Sequence, residues 1–582
     1  MGKGRNWQAA QARFLNRVQA RLSARARPAG GFVSQPEPRT IGFFARGRQM
    51  MAGNLMFAGH LIEAKGAMIW DIEPPDEAFL EEIHGFAWLD DLAAVGDVQA
   101  RNLAQAWLWG WIERYGRGRG PGWTPELTGR RMIRWIHHAL FVLRARAPQE
   151  AEAYYTALAA QTRFLARRGK TASPGLPRIE AMTGLLYAGL SLDGMDAVAA
   201  PARAALGAEC ARQVDEQGGI PTRNPEELLE VFTLLTWARA ALEESQMTPE
   251  PAHTEAIDRI APTLRTLRHA DGGLARFHGG GRGLEGRLDQ ALAASGSKKR
   301  QADGLAMGYA RLSAGRSSVI IDAAPPPSGR ASAQAHASTL AFELTSGRRP
   351  LIVNCGSGGG FGEGWRRAGR ATLSHSTLCL EGYSSARLAP ARWIGAARRE
   401  LLEDVPRHVP IQMSHMPDAL RFEGGHDGYA GLQGLTHARS LLLSLDGRTL
   451  RGEEYLVALD GPARRRFDKA MDAVRLAGIP FDVRFHLHPD VDVEIDMGGT
   501  AVSMALRSGE IWVFRFDSGY EVDLEPSVYL EKGRLRPRAT KQIVLSGIAM
   551  EYATRVRWSL AKAQDTALAV RDLARDEVDL SI

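Results

Sequence analysis

The sequence predicts an α+β protein of several domains, in which an all-helical N-terminal half precedes an antiparallel β-sandwich. Apolar residues recur with the helical period from about Asp76 to Leu292. After the polar stretch Ser295–Ala302 the period changes to two, and short alternating strands follow one another as far as Leu560. Helices and strands that occupy separate halves of a chain indicate two structural units rather than an interleaved α/β fold.

The helical half contains segments whose apolar residues fall at positions i, i+3, i+4 and i+7. Breaks rich in Gly or Pro separate them, at Gly116–Gly122, Ala172–Pro177 and Gln217–Thr222. Helix pairs joined in this way form a solenoid or a toroid rather than a four-helix bundle. The predicted helices are Gln99–Tyr115, Leu127–Ala145, Glu150–Arg168, Glu180–Leu192, Val198–Asp215, Pro225–Glu243 and Thr254–Arg268.

The C-terminal half is predicted to be a sandwich of many antiparallel strands. Runs such as SSVIID, LAFEL, PLIVN and EIWVFRF alternate in polarity or are uniformly apolar, and turn residues separate them at near-regular intervals. We place the domain boundary near Ser297. The chain then divides into a basic N-terminal helix and strap (1–50), a helical domain (51–296) and a β domain (297–582).

Length and composition restrict the class of protein. At 582 residues the chain is too long for one hydrophobic core, and 45% hydrophobic with 24% charged residues is typical of a folded globular protein. No stretch reaches the ~20 apolar residues of a membrane-spanning helix, so we predict no transmembrane segment. The three cysteines, Cys210, Cys355 and Cys379, are too few and too scattered for a disulfide framework.

The net charge of +7 favours acidic partners, and the alternative is an arginine-rich composition inherited from a GC-rich genome. Because the arginines are spread along the chain and no nucleic-acid-binding motif accompanies them, we predict no nucleic-acid partner. The stretch from Met1 to Gly31 is basic and amphipathic but lacks the apolar core and cleavage site of a secretory signal. We interpret it as a surface helix followed by a strap, with attachment to a membrane surface as the alternative.

Several motifs follow one another in a fixed order over most of the chain. The motifs are Asn54-Leu-Met-Phe-Ala-Gly, His84-Gly-Phe-Ala-Trp-Leu-Asp-Asp-Leu, Trp123-Thr-Pro-Glu-Leu-Thr-Gly-Arg-Arg, Gln217-Gly-Gly-Ile-Pro-Thr-Arg-Asn-Pro, His336-Ala-Ser-Thr-Leu-Ala-Phe-Glu-Leu, Pro350-Leu-Ile-Val-Asn-Cys-Gly and Trp365-Arg-Arg-Ala-Gly-Arg-Ala-Thr-Leu-Ser-His. Their order and spacing, on helices first and strands afterwards, resemble the heparinase II/III-like family of polysaccharide lyases.

The resemblance implies an α/α toroid, an incomplete helical barrel, packed on the sandwich with a substrate cleft between them. It also implies cleavage of uronic-acid glycans by β-elimination. That reaction requires a neutralised uronate carboxylate, a base for the C5 proton and an acid for the leaving oxygen, and no cofactor is obligatory for these steps. The expected partner is therefore an acidic polysaccharide or oligosaccharide. The family resemblance suggests a location in the cell envelope or periplasm, and the cytoplasm is the alternative because the sequence contains no readable signal peptide. The sequence does not indicate the oligomeric state.

Two histidines stand at positions that resemble the family's metal site. His336 and His375 each lie beside a predicted strand and, together with Asn354, imply a divalent ion, most plausibly zinc. The family often has Asp where Asn354 stands, and an amide oxygen is a poorer zinc ligand. The alternative is that the two histidines form a hydrogen-bonded structural pair.

The chain departs from the family where the reacting groups are expected. Gln334 stands where active relatives carry a histidine, and a glutamine amide cannot act as a general base near neutral pH. The family's acid/base tyrosine is expected near residues 277–287, where His278 is the titratable aromatic residue instead. Tyr429 is the second candidate for this role, or else a packing residue. His336 is the remaining catalytic candidate, and Gln334 becomes a candidate substrate contact.

The segment Arg223-Asn-Pro-Glu opens a predicted helix and suits an anion such as a uronate carboxylate. Asn224 is equally a good N-cap, followed by Pro225 at the first helical position. Glu226 is the candidate carboxylate for acid–base chemistry at this helix start. Arg370 and Arg439 stand at family-like positions and suit a carboxylate or sulfate, or else are structural arginines of the sheet.

Three functions compete. The leading expectation is a lyase that cleaves an acidic, uronic-acid-containing glycan. The alternative is a non-catalytic glycan-binding or cell-envelope protein that keeps the fold but has lost catalytic residues, as Gln334 and Asn354 suggest. A glycoside hydrolase ranks last, because Glu226 and Glu227 are adjacent on one helix and cannot flank a glycosidic bond from two sides.

Overall fold

The computed structural model describes residues 2–34, 36–301, 304–394 and 397–563. Thirteen of the α-helices within these residues lie in the N-terminal half and two lie in the β half. The helices are α1 (Gly2–Ser23), α2 (Phe44–Ala52), α3 (Glu77–Gly85), α4 (Ala87–Val95), α5 (Val98–Tyr115), α6 (Pro125–His137), α7 (Ala139–Leu143), α8 (Pro148–Arg168), α9 (Leu176–Ser191), α10 (Ala199–Gln213), α11 (Pro225–Glu244), α12 (Pro251–Thr266), α13 (Arg287–Ser295), α14 (Glu363–Ala368) and α15 (Gly461–Ala473).

Two short strands form a hairpin in the helical half, and the remaining strands lie in the β half. The strands are β1 (Asn54–Phe57), β2 (His60–Glu63), β3 (Tyr309–Ala314), β4 (Ser317–Asp322), β5 (Phe342–Ser346), β6 (Arg349–Val353), β7 (Leu378–Leu380), β8 (Arg387–Leu388), β9 (Arg392–Ile394), β10 (Ala397–Arg399), β11 (Leu402–Glu403), β12 (Ile411–His415), β13 (Ala419–Tyr429), β14 (Leu435–Ser444), β15 (Thr449–Val457), β16 (Ile479–Leu487), β17 (Asp492–Asp496), β18 (Ala501–Ala505), β19 (Ile511–Phe516), β20 (Glu521–Tyr529), β21 (Arg538–Ala549) and β22 (Ala553–Lys562).

The β half is a sandwich of two eight-stranded antiparallel sheets. One sheet has the order β12-β13-β14-β15-β22-β19-β18-β17, and the other has the order β20-β21-β16-β6-β5-β4-β3, with β7 paired to β16. Strand β14 shows the expected alternation of buried and half-buried residues, because one face packs on the core and the other faces outward. The inward side chains of both sheets form one apolar core.

The helical half is an incomplete barrel with its own core. Helix α9 packs on α6, α8, α10 and α11, and α12 packs on both α10 and α11. Aromatic residues fill the interior, among them Trp88, Trp111 and Trp135, which are almost completely buried. The predicted tryptophan-rich helix Gln99–Tyr115 is therefore a core element, observed as α5.

The structure differs from the predicted helices in two places. The predicted helix Leu127–Ala145 is interrupted at His138, whose φ of −102° and ψ of 20° leave the helical region. The His138 ring lies 2.9 Å from the Asp90 carboxylate, and this contact fixes the break. Helix α15 was not predicted at all. It begins with Asp460 as N-cap, which accepts the Ala463 N–H at 2.7 Å, and Pro462 in the first turn.

The N-terminal helix α1 packs on α8 of the helical half and also contacts β9 of the β half. Asn16 accepts a hydrogen bond from Arg168 of α8 at 2.8 Å, and Gln19 accepts one from Arg167 of the same helix at 3.1 Å. The opposite face exposes large apolar side chains, including Trp7 and Phe14. Among the described residues, none of the helices combines the length and apolar composition that a membrane crossing requires.

Candidate functional site

A buried ion pair joins the two halves at the site that the sequence indicated. Arg223, just before α11, has a left-handed backbone (φ 50°) and directs its guanidinium into the β half. Its Nη2 lies 2.5 Å from Oδ1 of Asp322, at the end of β4. The guanidinium also donates to the carbonyl oxygens of Met307, Gly308, Ala324 and Pro325 at 2.8–3.2 Å. Every edge of the Arg223 guanidinium is therefore occupied within the protein.

Three predicted site histidines form a continuous buried chain next to this ion pair. His375 Nδ1 donates to the Ala371 carbonyl oxygen at 2.8 Å, which leaves His375 Nε2 to accept from His336 Nδ1 at 3.0 Å. The backbone N–H of His336 donates to His278 Nδ1 at 3.2 Å, and His278 Nε2 lies 3.3 Å from Asp322 Oδ2. This pattern of donors and acceptors is consistent with three neutral rings.

Burial keeps the histidine chain uncharged. It lowers the pKa of His375 to about 4 and lowers the pKa of His336 well below its ordinary value, with the neighbouring rings adding to the effect. Burial would raise the pKa of Asp322, but the adjacent Arg223 guanidinium and His278 outweigh it and hold this pKa well below the ordinary range. The site thus contains one fixed negative charge, one fixed positive charge and neutral imidazoles.

The three predicted metal ligands do not fit a zinc ion as arranged. His375 Nε2 already accepts from His336, and Asn354 Oδ1 already accepts from the Ser376 N–H at 3.0 Å. A zinc ion would need those same lone pairs. The hydrogen-bonded histidine pair, which was the alternative to a metal site, is the observed arrangement. Within the described residues no group of three or more His, Cys, Asp and Glu has the spacing to hold a metal ion.

One part of the rim of the site is formed by uncharged polar groups packed on a glycine turn. Asn224 caps α11, because its Oδ1 accepts from the N–H groups of Glu226 and Glu227 at 3.0 and 3.2 Å. A Cβ at Gly279 would come within 3.0 Å of Gln334 Cβ, and one at Gly280 would collide with Asn224 Oδ1. The loop after His278 can therefore close on Asn224 and Gln334 only with glycine at both positions.

A charge bridge crosses the opening between the two halves. Glu226 Oε2 accepts from the Gly281 N–H and from Lys532 Nζ, both at 2.9 Å. Lys532 follows β20 of the sandwich, whereas Glu226 lies in the first turn of α11. Glu226 is thus held by two donors at the mouth of the site, and Lys532 is an exposed cation there.

The remaining predicted residues support the site from behind. Arg370 donates to the carbonyl oxygens of Ser332, Ala335 and Glu400 at 2.8–2.9 Å, which fixes the turn that carries Gln334. Arg439 pairs with Glu454 at 2.8 Å and donates to the Leu340 and Ser376 carbonyl oxygens.

Tyr429 is buried in the sandwich core, away from the mouth of the site. Its hydroxyl donates to the Leu378 carbonyl oxygen at 3.1 Å. Burial raises the pKa of this hydroxyl well above its ordinary value, so the group is a hydrogen-bond donor and not a proton shuttle.

Sequence reasoning missed three charged members of this arrangement. Asp322, Glu454 and Lys532 were assigned no role, although each is a direct partner of a predicted residue. A signal for Asp322 was present, because it ends the otherwise apolar run VIID of a buried strand. Lys532 lies in a turn far along the chain, and only the packing of the two halves brings it to Glu226.

Comparison with known proteins gives a consistent family assignment. The model of the family described as heparinase II/III-like, C-terminal, matches residues 296–559. FtsZ-localized protein C of Caulobacter vibrioides (strain NA1000 / CB15N) is 31% identical over 565 residues, which cover 92% of this chain and 91% of that protein.

Solved lyase structures share the fold at low identity. Heparinase III has a TM-score of 0.69 at 12% identity, with 91% of this chain and 87% of that chain covered. A mutant of the heparan sulfate lyase HepC from Pedobacter heparinus has a TM-score of 0.55 at 14% identity, with 95% and 88% covered. These similarities extend over both halves, so the toroid and the sandwich together form the shared architecture.

Proposed function

This chain belongs to the heparinase II/III-like family, and we propose that it is a non-catalytic member that associates with FtsZ at an anionic membrane surface. The family and its polysaccharide-lyase fold are the premise. Lyase activity, which the sequence led us to expect first, remains a prediction without support from the geometry of the site. The alternative that the sequence offered, a protein that keeps the fold without the chemistry, is the one that the contacts favour.

The observation that carries this proposal is the closure of the histidine chain. A base for β-elimination must contact the C5 proton of the sugar in the substrate complex. His278 and His336 are only 1% and 2% exposed, and Nδ1 of each ring is bonded to a protein group, while His336 Nε2 is buried without a hydrogen-bond partner in the described part of the chain. At the mouth of the site the place of a histidine is taken by Gln334, which cannot remove a proton near neutral pH.

The electrostatics of the mouth also disfavour a uronate. Arg223, the predicted carboxylate ligand, is saturated by Asp322 and backbone carbonyls. The first turn of α11 instead presents Glu226 and Glu227 beside Asn224. A uronate carboxylate placed at this helix start would meet Glu227 and the Glu226–Lys532 pair but no free guanidinium, which limits the charge neutralisation that β-elimination needs.

The association with FtsZ is proposed from the relative. FtsZ-localized protein C is 31% identical over 92% of this chain, whereas the lyase structures are 12–14% identical. The shared sequence extends through both halves, so a shared binding property has a structural basis in the whole chain.

A specific feature of α1 favours a membrane surface as the place of action. The first 36 residues contain seven Lys or Arg and no Asp or Glu. The outer face of α1 exposes Trp7 and Phe14 by 66% and 62%, next to the exposed Arg13 and Arg17. Aromatic side chains flanked by arginines on one helix face suit the interface of a bilayer that contains anionic lipids.

The proposal is tested by three measurements on the full chain. We expect no unsaturated uronate from heparan sulfate, heparin, alginate, hyaluronan or polyglucuronate, as read by ultraviolet absorbance. We expect the chain to pellet with polymerised FtsZ and to float with vesicles that contain phosphatidylglycerol. Absence of both binding signals, or turnover of one polymer, would contradict the proposal.

A further inference from the structure

A groove at the outer edge of the helical half lies apart from the site between the two halves. It is bounded by Gly96 after α4, the first turn of α5 and the short helix α7. Its volume is about 490 Å³, which is within the range of small-ligand and side-chain pockets. We call it the α5–α7 groove, and its lining residues are Gly96, Arg101, Leu140, Phe141, Leu143 and Arg144.

The groove presents apolar surface to solvent. Leu140 is 75% exposed, and Val98, the first residue of α5, is 58% exposed. Phe141 and Leu143 are half-buried and continue the same surface. Several large apolar side chains exposed side by side in a concave surface are a mark of a binding site, because single exposed apolar residues are common but recessed groups of them are not.

The charged groups of the groove are two arginines without carboxylate partners. In the part of the chain that the structure describes, neither Arg101 nor Arg144 forms an ion pair. The nearest acidic residues are otherwise engaged. Asp97 accepts from the Ala100 N–H at 2.7 Å as the N-cap of α5, and Glu150 accepts from Arg146 at 2.6 Å. Arg101 and Arg144 are therefore not paired with these two carboxylates.

The α7 wall of the groove is held in place by a buried amide. Gln105 of α5 donates from Nε2 to the carbonyl oxygens of Val142 and Arg144 at 2.8 and 2.9 Å. Its Oε1 accepts from Arg146 at 3.0 Å, and the Arg146 guanidinium lies over the ring of Trp109. A surface fixed in this way loses little conformational freedom when it binds a ligand.

We propose that the α5–α7 groove binds an acidic peptide segment of a partner protein, with an apolar side chain on Leu140 and Phe141 and flanking carboxylates on Arg101 and Arg144. Charge complementarity selects this occupant, since the two cations are unpaired. The groove volume of about 490 Å³ has room for side chains of a bound peptide. This inference does not depend on the proposed function, because the groove shares no residue with α1 or with the histidine chain.

The test uses the full chain and a peptide labelled at its N-terminus, rhodamine-Glu-Leu-Asp-Leu-Glu-amide, with fluorescence anisotropy as the readout. We expect saturable binding that the double charge reversal Arg101→Glu with Arg144→Glu weakens by at least about tenfold, as expected for loss of two charge-assisted contacts. Leu140→Asp should have a similar effect. The matched controls are Arg119→Glu and Leu432→Asp, which change an exposed arginine and an exposed leucine elsewhere.

A charge-swapped peptide makes the result independent of folding defects. The Arg101→Glu, Arg144→Glu variant should bind acetyl-Lys-Leu-Lys-Leu-Lys-amide more tightly than the unaltered chain does. The inference is overturned if the unaltered chain shows no saturable binding of the acidic peptide, or if the groove variants bind it as well as the controls do. It is also overturned if Leu140→Asp affects only vesicle binding or only self-association, since the occupant would then be lipid or a second copy.

Discussion

The Arg223 guanidinium lies 2.5 Å from the Asp322 carboxylate, and this buried contact joins the start of α11 to the end of β4. His278 lies 3.3 Å from the same carboxylate, and Ser338 donates to it at 2.7 Å. The Tyr309 hydroxyl donates to the Arg223 carbonyl oxygen from the other side. Arg223, to which the family resemblance assigns substrate binding, is therefore part of the interface between the two domains.

Loss of one member of this ion pair should destabilise the protein strongly. Asp322→Asn leaves a buried guanidinium without its counter-ion, which typically costs about 3–5 kcal/mol in the free energy of unfolding. The measurement is chemical denaturation of the variant and the unaltered chain. Asp289→Asn is the control, because its pair with Arg268 is exposed and is expected to contribute less than about 1 kcal/mol. Equal effects of the two substitutions would contradict a structural role for Asp322.

The neutral histidine chain should make the fold sensitive to acid. An unfolded histidine titrates near its ordinary pKa of 6.5, whereas burial lowers the pKa of folded His375 to about 4. The unfolded state therefore binds more protons between these values, and stability falls as the pH decreases through this window. The difference between the unfolded and folded pKa values of His375 corresponds to roughly 3 kcal/mol in the free energy of unfolding, at about 1.4 kcal/mol per pKa unit.

The matching experiment compares unfolding free energies of the unaltered chain and His375→Gln from neutral pH to pH 4. The variant should be less stable at neutral pH and should lose less stability on acidification. If both proteins lose the same free energy across this range, His375 does not titrate as the buried neutral ring described above.

How far the sequence predicted this molecule depends on whether the determinants are local. The start of α11 was predicted correctly, with Asn224 as the N-cap and Pro225 as the first helical residue, because capping depends on neighbours in sequence. The predicted change from helices to strands near Ser297 was also correct, since α13 ends at Ser295 and β3 begins at Tyr309. Helix α15 was missed, since its arginine-rich sequence lies between two strands and its apolar residues Phe467 and Met471 are few.

The sequence indicated which residues lie together at this interface, but it did not indicate which contacts they make. The sequence identified His278, His336 and Arg223, and the structure brings all three to one interface. It did not identify Asp322, which lies about a hundred positions from Arg223. Whether an arginine meets a substrate or a buried carboxylate depends on long-range packing, which local patterns do not report.

Restoring the family's histidine should not restore chemistry. Gln334→His places an imidazole at an exposed position beside Gly279. Arg223 and His278 would still be engaged by Asp322, so neither carboxylate neutralisation nor proton donation is supplied. We expect no uronate product from this variant with any polymer in the panel. Product formation by Gln334→His would contradict the structural roles described for Arg223 and His278.

Helix α1 should control binding to anionic vesicles. Phe14→Ser with Leu22→Ser removes exposed apolar side chains without altering the face that packs on α8. We expect at least about a tenfold loss of affinity for phosphatidylglycerol vesicles. Full burial of one large apolar side chain in the bilayer contributes about 1.5–3 kcal/mol to the binding free energy. Binding should also weaken as salt is added. Unchanged flotation of this variant would place the membrane contact elsewhere.

We propose that the residues which the family resemblance assigns to the reaction have structural roles in this chain. The most direct measurement is ultraviolet absorbance of the unsaturated uronate product during incubation of the full chain with the five uronic-acid polymers, with and without added zinc. We predict a flat trace in every case, because His336 and His375 bind each other and Arg223 binds Asp322. A sustained rise with any polymer, lost on heat denaturation of the protein, would contradict the claim and establish a lyase.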